Sequence, residues 1–336
     1  MNELFETARA LVTEGKGILA ADESSGTIAK RLAAVGVEST EESRRAYRDL
    51  LFTTAGAEAS ISGVILFDET IRQSSADGTP FPKLLEARGV IPGIKVDRGA
   101  KPLALAEGET VTEGLDGLRD RFAEYRSLGA RFSKWRATYS IGHGRPSEYC
   151  AWVNAHALAR YAALAQEAGI VPIVEPEVLM DGDHTIEASA KATGRALQAL
   201  YTELHDQRID VRGTLLKPNM VLSGYDAASR AGSDEVAERT LEVLYRHVPA
   251  AVPGIVFLSG GQSDEDATAH LNAMALRGPH PWQLSFSYGR ALQNAALETW
   301  AGNPENVAAA QAAYLRRAKL NGAARNGTYT PELEAR

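Results

Sequence analysis

The chain has 336 residues, 44% hydrophobic and 24% charged, which allows a sizeable core and excludes a disordered or fibrous composition. Its net charge of -7 argues against a nucleic-acid or membrane-surface role, which needs a basic face, and its single cysteine, Cys150, excludes an internal disulfide framework. The opening stretch MNELFETARALVTEGKG lacks a secretory apolar region and no run of about 18 apolar residues occurs, so the expected setting is the cytoplasm.

Short apolar runs that end in polar residues recur along the chain. They are GILAAD (17 to 22), GVILF (63 to 67), GIKVD (93 to 97), ARFSKWR (130 to 136), VPIVEPE (171 to 177), GTLLKPN (213 to 219), GIVFLSG (254 to 260) and PWQLSFSYG (281 to 289). Helical segments lie between them, such as TEESRRAYRDLLFTTAG, with Thr40 as N-cap, and SEYCAWVNAHALARYAALAQEAG, with Ser147 as cap and Gly169 as stop. Strands apolar on both faces and alternating with helices predict a buried parallel sheet, and eight units fit an α/β fold, the (β/α)8 TIM barrel. The expectation is one domain over 1–336, with extra helices at both termini and a flexible tail from about residue 322. A doubly wound open sheet is the rival, but no GxGxxG follows the first strand.

In such a barrel the chemistry sits at the C-terminal strand ends. These ends carry Asp22, Lys95 with Asp97, Lys134 with Arg136, Glu175 with Glu177, Lys217 with Asn219, Ser259, and Ser287 followed by Arg290. Residues two apart on a strand share a face, so Lys134 and Arg136, and likewise Glu175 and Glu177, point into one cavity. Pro218 forces Lys217 into extended geometry at a strand tip. Burial and a neighbouring cation, Lys134, both disfavour a charged lysine there, and a neutral amine attacks a ketone to form a Schiff base. Glu175 or Glu177, and Asp22, suit the proton transfers.

SGGQS (259 to 263) and SYGR (287 to 290) follow the seventh and eighth strands and open helices, where free N–H groups favour a phosphate. Arg290 adds a bidentate donor. Lys95, Arg31 and Arg136 suit a second phosphate at the opposite rim, which makes the expected substrate a bisphosphorylated ketose.

These motifs also resemble a known family, class I fructose-bisphosphate aldolase: GILAADES, GVILFDET, GIKVDRG, FSKWR, GIVPIVEPE, GTLLKPNM, FLSGGQS and FSYGRALQ stand in the family's order almost from end to end. The resemblance implies a (β/α)8 fold, no metal or other cofactor, a homotetramer, and reversible cleavage of fructose 1,6-bisphosphate. It implies Lys217 as the Schiff-base lysine, Glu175 as acid and base for dehydration, and Asp22 for proton transfer at the C4 hydroxyl. Lys134 orients substrate and tunes Lys217, with Glu177 in support. Ser259, Gly260, Gly289 and Arg290 match the C1-phosphate site, and Ser24, Arg31, Lys95 and Arg136 the C6-phosphate site. Two departures stand out. The family's C-terminal tail ends in tyrosine, whereas this sequence ends in Arg336 and Tyr329 lies too early to match; and Asp68 replaces a familiar histidine.

Blander readings compete. DGDHT (181 to 185) reads as a turn and helix cap rather than a metal run, the seven histidines show no zinc spacing, and Trp135 and Trp152 read as packing residues. A transaldolase or monophosphate aldolase, or a non-catalytic binder on the same fold, are the rival functions.

Overall fold

The computed structural model describes residues 2–335. In chain order the strands are β1 (Gly17–Ala21), β2 (Ile61–Leu66), β3 (Ile91–Lys95), β4 (Ala100–Pro102), β5 (Thr110–Thr112), β6 (Phe132–Tyr139), β7 (Val171–Val178), β8 (Leu215–Leu216), β9 (Gly254–Phe257) and β10 (Gln283–Tyr288). Every one of the eight apolar runs becomes a barrel strand. They pair in parallel in the order β1-β2-β3-β6-β7-β8-β9-β10, and β10 closes on β1. The sequence reading missed β4 and β5, an antiparallel hairpin between β3 and β6. With β4 exposed throughout, this hairpin has no apolar run to betray it.

Local chemistry starts the helices where expected. Thr40 accepts from the Ser43 N–H at 3.0 Å and Ser43 returns the bond, capping Glu41–Phe52. Ser147 caps Glu148–Glu167 through the Cys150 N–H, and Thr185, at the end of DGDHT, caps Ile186–Asp206 through the Ala188 N–H.

Inside the barrel the N-terminal end is apolar. Leu4, Ala8 and Leu11 of the first helix, Asn2–Leu11, plug it against Ile18, Ile65, Phe132, Ile173, Leu215 and Val256. Space there is tight: a Cβ at Gly93 would lie 2.3 Å from the Phe132 ring, and one at Gly63 would meet Leu11 at 2.7 Å. The other end, at the strand C-termini, is left for polar groups.

Two expectations need correction. Where a flexible tail was expected from about residue 322, the last α-helix runs from Val307 to Arg325, and the segment beyond it is tied back at Tyr329 and Glu334. Buried Arg325 donates to the carbonyls of Val12, Thr13 and Lys16 beneath the barrel, and Tyr329 is 6% exposed with its N–H on Asn272 at 3.1 Å. Arg317 holds Glu334 at 2.6 Å. These contacts are long-range, so no local periodicity announces them; Arg336 lies outside the described residues. The second concerns Trp152, which is 55% exposed on the outer face of its helix and donates to Glu203, whereas Trp135 is buried and stacked on Tyr161 at 5.6 Å. Among the described residues no helix is long and apolar enough to cross a membrane.

Because Phe132 leaves no room beside Gly93, Gly93→Ala is expected to lower unfolding stability by about 1–3 kcal/mol in denaturant titration. Adding Phe132→Leu should recover part of that loss; unchanged stability of the single variant would refute the packing account.

Candidate active site

At the C-terminal ends of the strands lies a cleft of about 830 Å³. Lining it are Asp22, Ser24, Arg31, Lys95, Lys134, Arg136, Glu175, Glu177, Lys217, Ser259, Gly260, Gly289 and Arg290, whereas Asn219 is buried outside it and accepts from the Val178 N–H at 2.9 Å. Strand register brings them together, because β6 and β7 are each eight residues long and pair from Phe132↔Val171 to Tyr139↔Val178. This sets Arg136 beside Glu175 and Thr138 beside Glu177, while Lys95 of β3 pairs Lys134 of β6.

Lys217 follows the two-residue strand β8. Its N–H still donates to Val174 at 2.9 Å, and Pro218 keeps it extended, so the side chain emerges at the barrel mouth at 4% exposure. Nζ of Lys217 lies 3.1 Å from Glu175 Oε1. Lys134 Nζ sits 2.9 Å from Asp22 Oδ2, 3.0 Å from Glu175 Oε2 and 3.9 Å from Asp97 Oδ2. Glu175 therefore stands between the two amines, and the opposition of cations expected from sequence is mediated by a shared carboxylate. Its Oε2 is buried against the Lys134 ammonium.

The charge states follow from this packing. Burial alone would raise the Asp22 carboxyl, but Lys134, then Lys217 and Lys95, outweigh it and hold the group below the usual carboxylate range. Burial opposes the charge on Lys134, and Asp22, Glu175 and Asp97 overcome it, raising this amine above an ordinary lysine. Glu175 shows the same balance: burial opposes its charge, Lys134, Lys217 and Arg136 favour it more, and the group is lowered.

The two rims of the cleft differ. On one, Arg31 is held by Glu23 and by Asn294 at 3.3 Å, Arg136 by Glu177, and Lys95 by Asp97 at 3.2 Å. Glu23 also takes Arg48 at 2.6 Å. The sequence reading missed Glu23, although it stands in AADES between Asp22 and Ser24. On the other rim Arg290 has no acidic partner among the described residues, and the N–H groups of Gly260, Gly261 and Gly289 find no protein acceptor there. Ser287 Oγ is buried and likewise unpaired. In all, Lys30, Arg31, Lys95, Lys134, Arg136, Lys217 and Arg290 outnumber Asp22, Glu23, Asp97, Glu175 and Glu177, so the cleft is positive in a chain of net charge -7.

The geometry has counterparts in known proteins. A family model described as "Fructose-bisphosphate aldolase class-I" matches residues 3–336. The chain belongs to the class I fructose-bisphosphate aldolase family. A probable class 1 fructose-bisphosphate aldolase of Xylella fastidiosa is 57% identical over 98% of this chain and 99% of that protein. The cytosolic fructose-bisphosphate aldolase 6 of Arabidopsis thaliana is 56% identical over 98% of this chain and 92% of its own length. Among solved structures, the Plasmodium falciparum aldolase, crystallised with TRAP and a small-molecule inhibitor, superposes with a TM-score of 0.97 at 48% identity, covering 98% and 95% of the two chains. For an aldolase of this class the acid between two lysines, Glu175 between Lys134 and the strand-end Lys217, is the chemically informative feature. DGDHT forms no metal cluster: among the described residues no group of three or more His, Cys, Asp or Glu could hold an ion.

The ion cluster also predicts how stability depends on pH. Asp22 and Glu175 have depressed folded values, so their contribution is present above the unfolded carboxylate values of about 4 and is lost as pH falls through the folded ones. Lys134 is raised, so its share is present below about 10.4 and is lost as pH rises through the higher folded value. Denaturant stability measured across pH should plateau between these limits and decline on the acid side. Lys134→Met should make the acid slope shallower, because the carboxylates lose their main counter-charge; an unaltered slope would show that the cluster does not set it.

Proposed function

We propose that Lys217 carries the reaction, that Glu175 and Asp22 divide the proton transfers between them, and that Lys134 orients the substrate and tunes Lys217. The overall chemistry is that of the family, reversible cleavage of fructose 1,6-bisphosphate to dihydroxyacetone phosphate and glyceraldehyde 3-phosphate through a lysine Schiff base. The observation that carries this assignment is the 3.1 Å contact between Lys217 Nζ and Glu175 Oε1, with Lys134 on the other oxygen of the same carboxylate.

Proton transfer from Lys217 to Glu175 frees the nitrogen lone pair for attack on the C2 ketone. The carbinolamine hydroxyl then leaves as water with a proton returned by Glu175, and an iminium forms. Asp22, kept ionised by Lys134, removes the C4 hydroxyl proton. The C3–C4 electron pair moves into the iminium to give an enamine, and the aldehyde departs. Protonation at C3 takes up one proton in exchange for the one held by Asp22, and addition of water to the resulting iminium releases dihydroxyacetone phosphate and restores the amine. Tyr329 takes no part in this account, because its hydroxyl faces Glu334 at 3.1 Å outside the cleft lining.

Of the two rims, the one with Ser259, Gly260, Gly289 and Arg290 suits the C1 phosphate, since its donors are free. The rim with Ser24, Arg31, Lys95 and Arg136 suits the C6 phosphate, and Glu177 fixes the Arg136 guanidinium. Each chain is read as one catalytic barrel domain. Likeness to the family supports a homotetramer, and the relative named cytosolic supports a cytoplasmic setting.

Borohydride added during turnover of fructose 1,6-bisphosphate in EDTA should place a reduced adduct on Lys217, located by peptide mass, and Lys217→Met should lose both adduct and turnover while staying folded. An adduct on another lysine, or an active Lys217→Met, would overturn the assignment. Glu175→Gln should lower kcat by about 10²- to 10⁴-fold, the usual span for a general acid–base residue. A drop of less than about tenfold would move that role elsewhere.

A further inference from the structure

DGDHT takes no part in the proposed reaction, yet a second loop rests on it. The N–H groups of Gly224, Tyr225 and Asp226 donate to the carbonyls of His184, Met180 and Gly182 at 2.8, 2.9 and 2.9 Å. Contact is so close that a Cβ at Gly224 would lie 2.2 Å from the Gly182 carbonyl oxygen. This pairing carries Tyr225, 39% exposed, across to the loop after β9, where its hydroxyl donates to the Gly260 carbonyl. Arg290 converges on the same spot. A Cβ at Gly261 would lie 2.0 Å from the Tyr225 hydroxyl and 3.0 Å from both terminal nitrogens of Arg290.

A peptide unit is planar and trans, so its carbonyl and N–H point in opposite directions. Gly260 and Gly261 have φ of +59° and +85°, and successive N–H groups in such conformations form a concavity for an anion. A glycine pair is also free to flip, which would turn the Gly261 N–H away and cost order on binding.

We propose that Tyr225 is a positioning residue of the phosphate loop: by holding the Gly260 carbonyl it locks the Gly260–Gly261 peptide with its N–H free for a phosphate oxygen, and DGDHT is the platform for it. The proposal rests on the assignment of Ser259, Gly260 and Arg290 to the C1 phosphate. Arg230 flanks the tyrosine ring at 6.0 Å and keeps this side cationic.

The test is Tyr225→Phe, which deletes only the hydroxyl, compared with Arg290→Ala and the parent enzyme. Expected for Tyr225→Phe are a KM for fructose 1,6-bisphosphate and a Kd for dihydroxyacetone phosphate both raised about three- to tenfold, the effect of one hydrogen bond. The kcat should stay within about twofold and the melting temperature should be unchanged, which a merely structural role would not give. Unaltered KM and Kd in Tyr225→Phe, with binding weakened in Arg290→Ala, would overturn the proposal and leave the phosphate assignment standing. Unaltered binding in both variants would overturn the assignment and the proposal together. Joint loss of kcat and melting temperature in Tyr225→Phe would make the tyrosine structural and also overturn it.

Discussion

The buried ammonium of Lys134 is the constraint around which the active end of the barrel is arranged. An unpaired charge at 3% exposure costs several kcal/mol, and this one is met by carboxylates from three separate segments: Asp22 after β1, Asp97 after β3 and Glu175 on β7. Removal of any one partner would leave the buried ammonium with less counter-charge than its burial demands. The same pairing that makes the cluster tolerable keeps Asp22 and Glu175 ionised, the state in which they accept protons.

The barrel makes that arrangement possible by separating two environments along one axis. At the N-terminal end Phe132 and the leucines of the first helix close the interior, aided by glycines at 63 and 93 that admit the ring. A few residues further along the same strands, side chains on the inward face change from apolar to ionic: on β6, Phe132 is followed at alternate positions by Lys134 and Arg136. Period-two geometry keeps all three pointing inward, while Trp135 packs outward against Tyr161. Cavity and core are thus successive layers of one closed sheet.

Asymmetry between the rims has a physical consequence for binding. Arg31 is already paired with Glu23, so a phosphate there competes with a carboxylate, and Arg48 remains to neutralise Glu23 when Arg31 turns away. Among the described residues Arg290 and the glycine N–H groups have no such competitor. On the proposed assignment of the phosphates, the ketone end is pre-organised for an anion while the aldehyde end exchanges partners, which suits a reaction whose aldehyde product must leave first.

Much of this could be read from the chain alone, because the signals are local. Eight apolar runs with helical crossovers dictate a parallel closed sheet, and polar residues terminating those runs must gather at its C-terminal end. Proline after Lys217 sets its extended geometry, and Thr40, Ser147 and Thr185 cap helices through bonds reaching only three residues ahead. What depends on distant partners was decided by the tertiary structure. Only there does Glu175 come to stand between Lys134 and Lys217, Glu23 engage two arginines, Arg325 reach under the barrel from more than 300 residues away, and Tyr225 meet Gly260. Strand identity and polarity are properties of adjacent residues, whereas these contacts arise from register and closure, which bring together residues that share no neighbourhood in the sequence.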